Sequence, residues 1–227
     1  MKKVVFRVVA AVLAVAVIWV GTALFYAKNQ SAIMGALYRI KHEIAGFPQG
    51  EILLIGSSSI QIWNNSEYDL APFKTNNVGI SGSIVSDWVP LVDKLIVPFH
   101  PKAVLVYVGS NDIHALNRAP EDVAADAEKL LDDIHKKLPN AVIYYVSVYT
   151  SENTANLRPQ DERMNELAKE MSARKGYRFI DVASSLLNAD GSLRQDVFLF
   201  DNVHLNKTGY ALWSPVVRAA FSEDFNN

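Results

Sequence analysis

Residues 51–60 read Glu51-Ile52-Leu53-Leu54-Ile55-Gly56-Ser57-Ser58-Ser59-Ile60, four apolar side chains in a row broken by a glycine and three serines. A short apolar run that stops at turn residues fits a strand of a mostly parallel sheet. The pattern recurs downstream. Glu51–Ile55, Thr75–Gly79, Ala103–Val108, Ala141–Val148 and Tyr177–Asp181 read as strands, and Ile84–Leu95, Pro120–Leu138, Pro159–Lys175 and Thr208–Phe221 as helices. Strand and helix alternate, the order of βαβ units in an α/β domain. Pro120 and Pro159 stand where a first helical turn tolerates a missing N–H, and Gly176 stands where a left-handed C-cap is wanted.

The chemistry lies just past the strands. The first runs into Gly56-Ser57-Ser58-Ser59, the second into Gly79-Ile80-Ser81-Gly82-Ser83 and the third into Gly109-Ser110-Asn111-Asp112. In a parallel sheet the C-terminal strand ends share one edge, and ligands bind in the crevice there. A further polar stretch, Asp201-Asn202-Val203-His204-Leu205-Asn206, precedes the last helix.

These pieces have complementary jobs. A serine hydroxyl is a poor nucleophile until a base takes its proton, and a neutral imidazole steadied by a carboxylate does that near neutral pH. His204 and Asp201 fit the two roles, with the nucleophile open among Ser57, Ser58 and Ser59. The N–H groups of Ser58 and Gly82 and the side-chain amide of Asn111 are candidate donors to an oxyanion. Each piece alone has a plainer reading: a βα turn for the serines, positive φ for Gly79 and Gly82, an N-cap or Asx turn for Asn111-Asp112. Their joint occurrence at strand ends favours a site.

As a set, the blocks resemble the SGNH or GDSL-type hydrolases. That family carries a serine in a GDS-like turn, a glycine after the second strand, an asparagine in a GxND turn and a DxxH pair near the C-terminus. All four occur here in order, over roughly residues 50–222. The resemblance implies a flavodoxin-like three-layer α/β/α sandwich around a five-stranded parallel sheet. It implies Ser58 as nucleophile, His204 as base, Asp201 as its orienter, and Ser58, Gly82 and Asn111 as the oxyanion hole. The spacing of the family's block places the nucleophile two positions after Gly56 and a tryptophan seven after it, which gives Ser58 and Trp63. Ser57 stands where the family commonly has Asp.

The implied activity is serine ester hydrolysis through an acyl-enzyme on a short acyl ester, carried by a small molecule, a glycan or a lipid, without cofactor or metal. Transfer of the acyl group to an envelope carbohydrate hydroxyl is one alternative, and an inactive tethered binding protein is another. Composition narrows the field. The 227 residues carry a formal charge of −2 without a basic cluster, which argues against a nucleic-acid partner. No cysteine is present, so a disulfide framework, a zinc–thiolate site and a cysteine nucleophile are excluded. No metal-ligand spacing, P-loop or dinucleotide fingerprint is found.

Val8–Ala27 is 20 residues without a formal charge. As a helix this run would be roughly 30 Å long, the thickness of a bilayer core. Lys2, Lys3 and Arg7 before it against Lys28 after it predict a cytoplasmic N-terminus and a domain outside, periplasmic or extracellular. The rival readings are a signal peptide cleaved near Gly21-Thr22-Ala23 and a buried core helix, but apolar Leu24, Phe25 and Tyr26 favour an uncleaved transmembrane anchor. The predicted organisation is an anchor at 1–28, a docking helix and linker at 29–50, and a hydrolase domain at 51–227. Ile33, Leu37, Ile40 and Ile44 recur at helical spacing as the docking face. His42 and His135 read as solvated, His114 as a rim or surface residue, and Trp63 and Trp88 as core or pocket wall.

Overall fold

A computed structural model describes residues 2–225, with side chains from 19 onward apart from 23, 24 and 26–28. Helix α1, Lys2–Ala45, runs without a break from the N-terminal stretch to the domain. Among the described residues no helix is long and apolar enough to cross a membrane. Most of the run 8–27, read above as a span, has side chains that lie outside the described residues.

All five strands form, the first shifted by one residue and the other four shorter than expected: β1 Ile52–Gly56, β2 Thr75–Asn77, β3 Ala103–Tyr107, β4 Val142–Val146 and β5 Arg178–Ile180. Their order is β2-β1-β3-β4-β5, and every pairing is parallel, with Ile52 opposite both Thr75 and Ala103. All five residues of β1 and of β3 are buried, which is why these runs are apolar throughout rather than alternating.

The period of two sorts the strand side chains onto two cores. Leu53, Ile55, Val104 and Val106 face one layer; Ile52, Leu54, Leu105 and Tyr107 face the other. The first layer holds α6, Pro120–Lys137, and α7, Arg158–Lys175; the second holds α8, Lys207–Asp224. Val123, Ala127, Leu130, Leu131 and Ile134 form the buried stripe of α6. Glu121 and Asp122 in its first turn and His135 to Lys137 in its last oppose the helix dipole. Gly176 closes α7 at φ +77°.

The helix expected over 84–95 is broken. Helix α4 covers only Val85–Trp88; Val89–Leu91 is a 3₁₀ turn, Val92–Ile96 a π turn and Val97–Phe99 a second 3₁₀ turn (short helices α2, Ser58–Gln61, α3, Ser66–Asp69, and α5, Ser110–His114, complete the fold). Pro90 and Pro98 explain the break, because neither supplies an N–H for a continuous α ladder.

The docking face of α1 also differs. Leu37, Ile40 and Ile44 are exposed. The helix sits on the domain through Ser31, Met34, Gly35, Tyr38 and His42. A Cβ on Gly35 would lie 2.6 Å from Leu91 Cδ2, so a residue without a side chain decides which face approaches. Ser31 Oγ donates to Asp87 (2.7 Å) and Tyr38 to the Gly79 carbonyl (3.1 Å). His42, expected in solvent, is buried between Phe47 and Phe99, with ring centroids at 5.5 and 4.8 Å, and burial lowers its pKa. Trp63 and Trp88 are core residues.

Candidate active site

The turn after β1 is built around Gly56. Its φ is +145°, and a Cβ there would meet the Tyr107 carbonyl oxygen at 2.2 Å, so only glycine lets the chain leave the sheet this close to β3. Ser57 N–H then donates to that carbonyl at 3.1 Å, and α2 begins at Ser58. Because β1 is flanked by β2 and β3, the turns carrying Gly82 and Asn111 leave the same sheet edge on either side of it.

His204 arrives from the other end of the chain. Phe198 and Leu205 form an antiparallel bridge, and Leu199 N–H donates to the His204 carbonyl at 2.7 Å, which folds 198–205 into a tight loop. Asp201 organises the tip: its Oδ1 accepts from the N–H groups of Val203 and His204, each at 3.0 Å. Asn206 caps α8, accepting from Thr208 and Gly209 N–H. The helix is tied back to the serine turn by Tyr210, whose hydroxyl donates to the Ser59 carbonyl at 2.7 Å and whose ring stacks on Trp63 at 5.2 Å. These local contacts carry His204 across 146 positions to Ser58.

Nε2 of His204 lies 2.8 Å from Ser58 Oγ, and Nδ1 lies 2.7 Å from Asp201 Oδ2. With Nδ1–H donated to the carboxylate, Nε2 is left as the acceptor for the serine proton. Burial raises the Asp201 pKa, but hydrogen bonds from the His204 ring and the two backbone N–H groups outweigh it and bring it down to about 2. The carboxylate is therefore ionised wherever the imidazole works as a base.

A cavity of about 220 Å³ opens over this pair, lined by Ser58, Gly82, Asn111, His114, Tyr149 and His204 among others. Gly82 sits at φ +71°. Among the described residues the N–H groups of Ser58 and Gly82 have no protein acceptor. Asn111 Nδ2 donates one hydrogen to the Ser83 carbonyl at 3.0 Å, which fixes the amide and leaves its second hydrogen unassigned. The structure thus places four of the five sequence-derived residues, Ser58, Gly82, Asn111 and His204, on one cavity, and the fifth, Asp201, behind His204. Of the other two serines, Ser57 does not line the cavity, and Ser59 Oγ is bonded to the Tyr149 hydroxyl.

Three residues of the site escaped the sequence reading. Asp112, fully buried, accepts from Val85 N–H at 3.0 Å and Arg118 Nη1 at 2.8 Å; it locks α5 against α4, and desolvation raises its pKa despite those donors. Tyr149 donates to the Val203 carbonyl at 3.1 Å, which holds the histidine loop. Asp161 pairs with His114. Only the adjacency of Asp112 to Asn111 was a signal. Among the described residues no cluster of three or more His, Cys, Asp or Glu side chains is placed to hold a metal.

Solved structures share this fold at low identity. One from Streptococcus pneumonia, described provisionally as a platelet activating factor, superposes with a TM-score of 0.76 at 18% identity, covering 91% of this chain and 98% of its own. A GDSL-like lipase from Bacteroides thetaiotaomicron gives 0.67 at 13%, with 84% and 98% covered. An acetyl-xylooligosaccharide esterase variant from Geobacillus stearothermophilus gives 0.59 at 17%, with 80% and 96% covered. No curated protein matches the chain. The sequence profile of the GDSL-like lipase/acylhydrolase family matches residues 63–212, about two thirds of the chain; it takes in Gly82, Asn111, Asp201 and His204 and begins five positions after Ser58. With that match spanning most of the domain and the parallel sheet beneath it, the chain belongs to the GDSL-like lipase/acylhydrolase family.

Proposed function

We propose that the protein is a serine esterase that removes a short acyl group by a two-step acyl-enzyme mechanism. One observation carries the reading: His204 Nε2 stands 2.8 Å from Ser58 Oγ while Asp201 holds Nδ1 at 2.7 Å. Ser58 attacks the ester carbonyl as His204 takes its proton. The developing oxyanion is met by the N–H groups of Ser58 and Gly82 and the amide of Asn111. The imidazolium, steadied by Asp201, then protonates the leaving alcohol, and water repeats the sequence on the acyl-enzyme. A cavity of about 220 Å³ lies below the roughly 300–1,000 Å³ usual for small-molecule sites, which supports a short acyl group over a fatty chain.

The run Val8–Ala27 is proposed as a membrane anchor with the catalytic domain outside the cytoplasm. Its support is the 20 uncharged residues and the basic flank of Lys2, Lys3 and Arg7. Mass spectrometry of the mature N-terminus and protease protection of intact cells test this part.

The catalytic reading is tested with full-length protein in detergent. It should hydrolyse p-nitrophenyl acetate and take a fluorophosphonate label on the peptide containing Ser58. Folded protein that does neither would refute it.

A further inference from the structure

His114 takes no part in the chemistry proposed above, yet it lines the same cavity. It closes α5, and its Nε2 lies 2.7 Å from Oδ1 of Asp161 in the first turn of α7. The Asp161 side chain is 1% exposed, and its second oxygen accepts from Thr150 Oγ1 at 2.8 Å. A carboxylate only accepts, so Nε2 carries the proton in this pair, and in the neutral form of the ring Nδ1 keeps its lone pair. Among the described residues Nδ1 has no hydrogen-bond partner, and the ring is 16% exposed.

The two imidazole–carboxylate pairs reach the cavity from opposite layers. His204 comes from the loop leading into α8, whose Trp213 belongs to one core, while Ile113 beside His114 and Met164 near Asp161 belong to the other. Ser81, Ser110 and Ser151 add hydroxyls to the lining. A buried carboxylate is costly unless its oxygens are satisfied, and here both are spent on fixing one ring and its backing.

We propose that Nδ1 of His114 is the acceptor of a subsite for the alcohol half of the substrate, taking a hydrogen bond from a hydroxyl next to the ester. The substrate class is then the monoester of a vicinal diol, the chemistry shared by a partly acylated sugar and a glycerol ester. His204 protonates the leaving oxygen while His114 holds its neighbour. The inference rests on the esterase reading, and His114 is a positioning residue.

The test compares kcat/KM of full-length protein on 2-hydroxyethyl acetate and on propyl acetate, in which a methyl replaces the hydroxyl. The unaltered protein should favour the hydroxy ester by about 10-fold, the size of one well-placed hydrogen bond. His114→Phe should erase that preference, so that kcat/KM falls about 10-fold further on the hydroxy ester than on propyl acetate. His114→Gln, whose amide can donate to Asp161 while its carbonyl accepts, should restore part of it. Equal losses on both esters in His114→Phe and His114→Gln would mark a structural role and overturn the subsite, as would an unaltered protein without preference. Protein inactive on these esters and on p-nitrophenyl acetate would instead refute the esterase reading itself. A monoacetylated methyl xyloside and 1-monoacetylglycerol separate the two sources: a His114→Phe loss on either assigns the subsite to that alcohol, and a loss on neither overturns it.

Discussion

The hydroxyl of Ser59 lies 3.1 Å from that of Tyr149, which itself donates to the Val203 carbonyl. This chain of bonds commits Ser59 to holding the histidine loop, while Ser58 faces the His204 ring at 2.8 Å. Ser58→Ala should therefore abolish p-nitrophenyl acetate hydrolysis. Ser57→Ala and Ser59→Ala should keep at least about a tenth of it, since each loses no more than one modest hydrogen bond. A dead Ser59→Ala variant with a normal melting curve would move the nucleophile one position.

Asp201 affects both turnover and acid stability. Asp201→Asn should lower kcat about 10⁴-fold, because an amide in place of the carboxylate favours the wrong imidazole tautomer. The folded-state pKa of about 2 lies below the ordinary 3.8, so the carboxylate contributes stability above pH 3.8 that is lost as the pH falls towards 2. Acid titration followed by circular dichroism should show a shallower fall in that window for Asp201→Asn than for the unaltered protein.

Asn111→Ala should cut kcat by about 10²- to 10³-fold with little change in KM, the signature of a donor used only in the transition state. It also removes the tether to the Ser83 carbonyl. A KM effect alone would place the amide in ground-state binding.

The two turn glycines should respond differently. At Gly56 a Cβ would sit 2.2 Å from a backbone oxygen, so Gly56→Ala should not reach the native fold. At Gly82 nothing lies nearer than 3.9 Å, so Gly82→Ala faces only the left-handed backbone, a cost of about 1–2 kcal/mol. Thermal melting separates the two; activity of folded Gly82→Ala reports on whether its N–H keeps its aim.

The fold was legible because its signals are local. Apolar runs such as Ile52–Ile55 and Ala103–Val108 are buried on both faces of a parallel sheet, and the stripe of α6 recurs at helical spacing. Local reading failed where a partner chooses between options. The apolar stripe of Ile33, Leu37, Ile40 and Ile44 looked like a docking face, but Gly35 lets the opposite face approach Leu91 more closely. His42 looked solvated among charges, and two phenylalanines cover it.

The order of apolar runs and turn residues by itself determined a parallel α/β domain with small polar loops at one sheet edge, because hydrophobic period and turn chemistry act between near neighbours in the chain. The pairing of His204 with Ser58 rather than with the serines beside it was decided only in three dimensions. So was the placing of His114 on the cavity with Asp161 behind it. Each depends on the direction of a side chain at the end of a long loop closure, and that direction is set by packing from Tyr149, Tyr210 and Thr150.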